Sequence, residues 1–501
     1  MARLKIISQG KKYGFPAKKG ELVADAILAA GFFLERPCAG RGSCGKCRVL
    51  VKGALSQPEE IEQSQLTGED LQKGVRLACQ ARILGDATVT LPEEAVVTDK
   101  IFSGELPVDK LSGPFGIALD LGTTTVAAFL VTLRDNIIHK GHAVLNQQSS
   151  FGAEVISRME AAAQGQAHEL QNLARSSLDQ AAAGLGLLEN QVQDISRALV
   201  VGNSAMHHLF LGLPVDSLLK LPFQPAGKKL RMGRLKILGQ EIELRVPPLL
   251  GGFVGSDTLA CLVYLGFASK RKPVAAVDLG TNGEVMMSNG SEIAVASTAA
   301  GPAFEGVNIE CGMRAGPGAI SAVRRGKGRK LEYDVIGGGR PRGLAGSGLL
   351  SLVNLLRKEG RVNASGKLAG DRFEIRDKIY LSQADVREVQ KAKAAVRAAF
   401  EVLLEQLALK PEELDELVLT GSFGARINID DALELGMAPA VKKSRLRVLA
   451  NAAGMGAGMM LADEAFEFAA TLAQAVRHIE LYADRDFMDK FIAHMKLEEG
   501  L

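Results

Sequence analysis

Two segments of the chain repeat one pattern, and this repeat constrains the fold more than any other feature of the sequence. Residues 116–131 read GIALDLGTTTVAAFLV, and residues 275–288 read AAVDLGTNGEVMMS. Each apolar run ends in Asp-Leu-Gly-Thr and turns directly into a second apolar run, which predicts a β-hairpin. A unit that occurs twice, far apart in the chain, indicates two related halves and not a solenoid.

The turn of each hairpin has the chemistry of a phosphate loop. A Gly-Thr turn directs backbone N–H groups and hydroxyls at phosphate oxygens. An aspartate beside it holds Mg2+ through water, because this ion keeps much of its hydration shell. One such turn is equally well explained as a tight turn, whereas two copies favour a nucleotide held between the halves. The candidate phosphate ligands are Gly122, Thr123, Thr124, Thr125, Gly280, Thr281 and Asn282, and the candidate Mg2+ ligands are Asp120 and Asp278.

The paired hairpins resemble the phosphate loops of the actin, Hsp70 and sugar-kinase superfamily, whose two ribonuclease H-like halves clamp ATP. That resemblance implies an adenosine loop after the strand at 417–419, bordered by Gly421, Ser422 and Gly424. The group that activates water stays open between Asp257 and Glu284, and either would equally serve as a structural carboxylate.

Four cysteines form a second constellation, namely Cys38, Cys44, Cys47 and Cys79. A [2Fe-2S] cluster needs four thiolates, two for each iron, and a glycine-rich loop lets backbone N–H groups approach the sulfurs. Structural zinc sites usually show two CxxC pairs or histidines, and a thioredoxin-like dithiol needs a βαβ context, so both are weaker interpretations. The spacing resembles that of adrenodoxin-type ferredoxins, which implies a β-grasp fold.

The remaining cysteines and a histidine pair are interpreted as packing residues. Cys261 lies in an apolar helical pattern and Cys311 in a glycine-rich stretch, where a thiol most often behaves as a small apolar group. His207 and His208 are adjacent on a predicted helix, so their side chains point about 100° apart and do not readily share one metal ion.

The order of these patterns predicts the domain organisation. The expected fold class is an α+β β-grasp ferredoxin domain followed by a duplicated α/β actin/Hsp70-like (ribonuclease H-like) ATPase. Asp385 is predicted to cap a long helix that reaches about Leu407. The expected boundaries are 1–92 for the ferredoxin domain, 93–115 for a polar linker, 116–270 and 271–465 for the ATPase halves, and 466–501 for a C-terminal helical segment.

Composition excludes several classes of protein. A hydrophobic fraction of 47% with 23% charged residues is typical of a globular chain. The formal net charge of +3 provides no electrostatic footprint for nucleic acid. The sequence has no uncharged apolar stretch of membrane-spanning length and no apolar region of a secretory signal at its start. We therefore expect a cytoplasmic protein with no membrane and no nucleic-acid partner.

A ferredoxin domain joined to this ATPase resembles the reductive activators of corrinoid-dependent enzymes, and the resemblance covers nearly the whole chain. The matching strings are GAEVISR at 152–158, GNSAMHHL at 202–209, GFVGSD at 252–257, TAAGPAFEG at 298–306 and GMRA at 312–315. No cysteine follows Cys311, so we expect none of the extra C-terminal clusters that some relatives carry. Ala345 stands where the family often has cysteine.

The resemblance implies that ATP drives an electron from the cluster to cob(II)alamin, which regenerates cob(I)alamin for methyl transfer. The expected partners are the corrinoid protein of a methyltransferase system and an upstream electron donor, and a homodimer is compatible with the family. Two alternatives stay open: an ATP-driven donor to a different low-potential enzyme, and a redox-sensing nucleotide-binding scaffold.

Overall fold

The N-terminal part of the chain forms a five-stranded sheet with three short helices. The computed structural model describes residues 2–8, 10–92, 102–103, 107–424 and 427–498. The elements are β1 Ala2–Ser8, β2 Lys11–Ala17, α1 Val23–Ala29, β3 Arg48–Leu55, α2 Glu60–Gln65, α3 Gly68–Gln72, β4 Val75–Leu77 and β5 Ile83–Thr90. The strand order is β2-β1-β5-β3-β4, with β1 parallel to β5. The fold is that of a ferredoxin, as the resemblance of the cysteine spacing implies.

A seven-stranded sheet follows, in the order β11-β12-β10-β7-β8-β9-β6. Its strands are β6 Phe102–Ser103, β7 Phe115–Leu121, β8 Thr125–Thr132, β9 Ile137–Leu145, β10 Ile195–Val201, β11 Arg231–Ile237 and β12 Gln240–Val246. Its helices are α4 Val155–Ala161, α5 Ala167–Ala183, α6 Glu189–Gln193, α7 Ser204–Leu211 and α8 Ser256–Tyr264. Strand β6 falls within the predicted linker yet pairs with β9, so this stretch also contributes an edge strand.

The last part of the chain is built on a six-stranded sheet, in the order β22-β21-β13-β14-β15-β23, with two small sheets beside it. The strands are β13 Val274–Leu279, β14 Gly283–Ser288, β15 Ile293–Thr298, β16 Ala319–Arg325, β17 Leu331–Val335, β18 Gly343–Leu344, β19 Arg372–Arg376, β20 Ile379–Ser382, β21 Glu416–Thr420, β22 Leu446–Val448 and β23 Arg477–His478. The helices are α9 Gly346–Lys358, α10 Gln383–Gln406, α11 Gly421–Gly424, α12 Ile429–Glu434, α13 Ala452–Met459, α14 Asp463–Ala475 and α15 Phe487–Ala493.

The two larger sheets repeat the same five-strand core, as the repeated sequence pattern predicts. In the first, the hairpin β7–β8 continues antiparallel into β9, while β10 and β12 add parallel strands on the other side. In the second, β13–β14 continues antiparallel into β15, while β21 and β22 add parallel strands. Because the order and direction of the strands agree, each Asp-Leu-Gly-Thr turn leaves its sheet at the equivalent edge.

Two local expectations need correction. The N-cap of α10 is Ser382, whose hydroxyl accepts from the Asp385 backbone N–H, while the Asp385 carboxylate accepts from the Ser382 N–H. Asp385 is therefore the third helical residue of a capping box and not the cap. The C-terminal segment is also not wholly helical, since β23 joins the edge of the second sheet.

Helices α8 and α13 lie between the two sheets and hold the halves together. One apolar cluster contains residues of both sheets and of both helices, including Ala118, Phe129, Ala276 and Cys261. A Cβ at Gly456 in α13 would overlap the carbonyl of Ala260 in α8, so close packing requires the small residues there. Among the described helices, none combines the length and apolarity needed to cross a membrane.

Candidate functional site

The four predicted cluster cysteines lie together at one edge of the N-terminal domain, as two pairs. The Sγ atoms of Cys38 and Cys44 are 3.3 Å apart, and the Cys47 thiol hydrogen-bonds to Cys79. Cys38, Cys47 and Cys79 are buried and Cys44 is half-buried. Within the described residues, no three His, Cys, Asp or Glu side chains are arranged to hold a single metal ion. Two thiol pairs fit a two-iron cluster, with one pair for each iron, better than one tetrahedral zinc ion.

The backbone of the loop is shaped to face these sulfurs. Gly40, Gly42 and Gly45 have φ of 84°, 75° and 61°, a region that favours glycine. A Cβ on Gly42 would also come within 2.9 Å of Ile61. The backbone N–H of Gly42 is directed at both Cys38 and Cys79, and N–H groups that bind cluster sulfurs help to set a reduction potential.

Hydrogen bonding within each pair separates the acidities of its two thiols. The Cys44 thiol lowers the pKa of Cys38 to about 4, and the Cys47 thiol lowers the pKa of Cys79 to about 7. The pKa values of Cys44 and Cys47 are raised, first because each thiol donates to its partner and second by burial. Each pair thus holds one thiolate readily, and binding to iron would require loss of the second proton.

The second constellation is a crevice between the turns of the two hairpins, with a volume of about 530 Å³ that includes space open to solvent. It brings together these predicted residues: Asp120, Gly122, Thr123, Thr124, Thr125, Asp257, Asp278, Gly280, Thr281, Asn282, Glu284 and Gly421. Ser422 and Gly424 follow Gly421 in the short turn α11. Gly421 has φ 94°, and a Cβ there would overlap the Asp278 carboxylate.

The two Asp-Leu-Gly-Thr turns touch each other across the crevice. The hydroxyl oxygens of Thr124 and Thr281 are 3.1 Å apart. Both hydroxyls donate to one carboxylate oxygen of Glu305, at 2.5 Å from Thr124 and 3.1 Å from Thr281. Asn203 supports the first turn, since its Nδ2 donates to Thr123 Oγ1 at 2.9 Å. The hydroxyls that a phosphate would use are therefore held by protein groups of both halves.

Four of the predicted crevice residues are carboxylates: Asp120, Asp257, Asp278 and Glu284. Burial raises the pKa of Glu284 well above its usual value, and the negative charges of Asp257 and Asp278 raise it further. Glu284 is directly opposite Asp278 in the hairpin. Such a cluster suits a hydrated cation that also meets phosphate oxygens, which is the usual environment of Mg2+.

The crevice also contains four residues that the sequence patterns did not assign to it: Asn203, Glu305, Asn451 and Ala453. Asn203 and Asn451 cap the helices α7 and α13, accepting from Met206 N and Gly454 N. Asn203 and Glu305 fall within the strings used for the family resemblance, which was the available signal for them.

The cysteine loop is docked against both ATPase halves. Ala153 N donates to Pro37 O at 2.9 Å, next to Cys38. On the other side, Lys46 Nζ donates to Gly312 O at 2.9 Å, and Arg314 pairs with Glu35 at 2.8 Å. We call these contacts the seam. Burial lowers the pKa of Lys46, so the contact with the Gly312 carbonyl is made in a water-poor setting.

A docked ferredoxin fold and a two-halved nucleotide crevice together define an ATP-linked iron–sulfur protein. Family models agree with this division: the 2Fe-2S iron-sulfur cluster binding domain matches residues 6–84, the RACo middle region 115–270, and the C-terminal ASKHA domain of RACo 272–500. The chain belongs to the RACo family of reductive activators of corrinoid proteins.

Individual relatives cover almost the same length. The corrinoid activation enzyme RamQ of Eubacterium limosum is 33% identical over 94% of this chain and 95% of its own. A reductase of the Co(II) methylated amine-specific corrinoid protein, from Methanosarcina barkeri, is 28% identical over 66% of each chain. A solved reductive activator for corrinoid, iron–sulfur protein superimposes over 99% of this chain and 98% of its own, with a TM-score of 0.70 and 24% identity, and supports the fold.

Proposed function

We propose that this chain is an ATP-hydrolysing iron–sulfur oxidoreductase that reductively activates a corrinoid protein. In this reaction an electron passes from the [2Fe-2S] cluster to cob(II)alamin and regenerates cob(I)alamin for methyl transfer. The observation that carries the proposal is the seam, because the cysteine loop contacts both halves of the nucleotide crevice. Membership of the corrinoid-activator family identifies a corrinoid protein as the electron acceptor.

The chain's own residues have separate tasks in this proposal. Cys38, Cys44, Cys47 and Cys79 would hold the cluster, which supplies one electron at a time from a potential of roughly −400 mV for plant-type ferredoxins. An acceptor of lower potential makes the transfer uphill. ATP assists only to the extent that the nucleotide-bound conformation binds one state of the acceptor better than the other.

In the crevice, Thr123, Thr124, Thr125, Thr281 and Asn282 would bind the phosphates together with the turn glycines. Asp120 and Asp278 would hold Mg2+ through water, and Gly421, Ser422 and Gly424 would border the adenosine. Asp257 and Glu284 remain the two candidates for activating water. Glu284 fits a base only when a bound cation offsets the burial that raises its pKa.

The proposal includes an upstream electron donor that reduces the cluster, a cytoplasmic location, and a corrinoid partner that docks near the cysteine loop. A homodimer is compatible with it, and sedimentation of the full chain would measure the oligomeric state.

The decisive experiment follows the Co(II) absorption of a purified corrinoid protein after mixing with the reduced, cluster-loaded chain. We expect Co(I) to appear with ATP and Mg2+, and its formation to fall at least 100-fold when ATP is left out. Cys47→Ser should abolish cluster binding and the reaction. Cys311→Ser is the matched control, since Cys311 is a half-buried thiol outside the two pairs, and it should behave as the unaltered chain.

Two outcomes would change the proposal. Co(II) reduction that proceeds equally well without ATP would remove the coupling. ATP-dependent oxidation of the cluster by a different low-potential enzyme, with none by the corrinoid protein, would favour the alternative acceptor.

A further inference from the structure

Glu305 lines the nucleotide crevice, and the residues next to it contact the segment that holds the cysteine loop. Its carboxylate accepts from Thr124 at 2.5 Å and from Thr281 at 3.1 Å, one hydroxyl from each half. It is half-buried and lines the crevice. A nucleotide phosphate that binds these hydroxyls competes with Glu305 for the same donors and carries the same sign of charge, so both cannot keep this position.

A short backbone path connects Glu305 with the cluster. Gly306, the next residue, has φ 74°, and a Cβ there would overlap the backbone of Met313. A Cβ on Gly312 would in turn overlap the Gly306 carbonyl. The two segments therefore touch without intervening side chains, and a closely packed contact of this kind transmits displacement. Gly312 O accepts from Lys46, which lies between Cys44 and Cys47.

A second path runs through Arg158, which is fully buried. Its Nε donates to Gly152 O at 2.9 Å, and Ala153 N donates to Pro37 O at 2.9 Å, beside Cys38. Burial lowers the pKa of Arg158 to about 9, and the charge of Glu305 opposes that decrease. The guanidinium thus remains positive at neutral pH and is attracted by Glu305. Displacing that carboxylate changes the electrostatic environment of Arg158.

We propose that Glu305 is a positioning residue that gives up its two threonine hydroxyls to the nucleotide phosphates. Its displacement then shifts the seam contacts on both sides of the cysteine loop. It acts through Gly306–Gly312–Lys46 on one side and through Arg158–Gly152–Pro37 on the other. This inference rests on the proposed function, because it assumes that nucleotide binds between the two hairpin turns.

The test uses the full chain with its cluster, and the Mg2+ complex of a non-hydrolysable ATP analogue as the probe. Two quantities are measured separately: the Kd of the analogue by calorimetry, and amide hydrogen exchange in residues 36–46 with and without it. For the unaltered chain we expect exchange in 36–46 to rise at least threefold on binding. In Glu305→Ala, exchange in residues 36–46 should already be raised without the analogue and should not rise further when it binds. The Kd of the analogue should fall about three- to tenfold.

Three further variants sharpen the result. Glu305→Gln keeps an acceptor for both hydroxyls but removes the charge, so we expect basal exchange near that of the unaltered chain together with a lower Kd. Lys46→Met removes the Gly312 contact, so exchange around Cys44 should lose its response while Kd is unchanged. Glu332→Gln removes an exposed carboxylate that pairs with Arg324 and should match the unaltered chain in both measurements.

The outcomes distinguish a failure of the proposed function from a failure of the role inferred for Glu305. If the unaltered chain does not bind the analogue, both the proposed function and this inference are wrong. If it binds but exchange in 36–46 stays constant, the inference alone is overturned, and this comparison needs no variant to fold. A Glu305→Ala chain that binds and keeps the full response also overturns it.

Discussion

The two Asp-Leu-Gly-Thr hairpins share one backbone but place different side chains opposite their aspartates. In the first hairpin Asp120 is paired across the strands with Ala127, whereas in the second Asp278 is paired with Glu284. Directly opposed residues of an antiparallel pair lie on the same face of the sheet and interact. The second aspartate also accepts from the Cys261 thiol, at 3.5 Å. The repeat thus keeps the Asp-Leu-Gly-Thr turn in both halves, while an acid lies opposite the aspartate in the second hairpin and an alanine in the first.

We expect this difference to let neighbouring carboxylates replace part of the negative charge of Asp278. Around Asp278, the carboxylates of Asp257 and Glu284 are close enough to affect one another's ionisation. The cross-strand neighbour of Asp120 is a methyl group. We therefore expect the two halves to respond unequally when the same substitution is made in each.

The largest effect is expected for Asp120→Asn compared with Asp278→Asn. Removing one group that stabilises developing charge in a transition state typically costs about 100- to 1,000-fold in turnover. We expect a loss of this size for Asp120→Asn, because the variant holds the cation less well. Asp278→Asn should lose only about tenfold, because neighbouring carboxylates still attract the cation. Steady-state ATP hydrolysis measured over a series of Mg2+ concentrations checks both values.

Asp216→Asn is the matched control for these variants, since Asp216 is exposed and lies outside the crevice lining. Equal losses for Asp120→Asn and Asp278→Asn would show that the second hairpin has no charge redundancy. A larger loss for Asp278→Asn would reverse the comparison.

A smaller effect is expected on stability, for Glu284→Gln. The pKa of Glu284 is raised in the folded chain, so the folded state holds this proton more tightly than the unfolded state. Its stabilising contribution is complete below the ordinary carboxyl pKa and is lost as pH rises through the raised folded value. Gln cannot ionise, so the variant should gain thermal stability relative to the unaltered chain as pH increases.

Thermal unfolding without Mg2+ at pH 5 and pH 9 measures this gain in stability of Glu284→Gln over the unaltered chain. We expect the difference in Tm between variant and unaltered chain to grow by roughly 2–4 °C, which corresponds to about 1 kcal/mol in a domain of ordinary size. Glu374→Gln, at an exposed position, should show no such growth. A difference that is constant with pH would mean that Glu284 is ionised in the folded chain.

The sequence predicts those parts of the fold and site whose residues are close together in the chain. The cysteine loop and both hairpin turns are short, continuous patterns, and each places its residues without help from distant segments. Glu305 and Asn451 reach the crevice from separate parts of the fold, so no local spacing could assign them. The prediction of Asp385 as the cap of α10 is wrong because serine and aspartate are both favoured N-caps, and the capping box places Ser382 three residues before Asp385. Strand β23 has two residues, too few to show a period.

The smallest effect is expected for Cys261→Ala, which removes the thiol that donates to Asp278. Cys261 is fully buried, and burial followed by the charge of Asp278 raises its pKa, so the thiol stays protonated as a weak donor. Losing this donor and a small buried volume should cost about 1 kcal/mol of stability and change ATP turnover less than threefold. Cys261→Ser retains a donor to Asp278 and should bring turnover back to that of the unaltered chain. A loss of tenfold or more in Cys261→Ala, with Cys261→Ser near normal, would instead show that this hydrogen bond positions Asp278, and the asymmetry between the hairpins would then extend to how each aspartate is held.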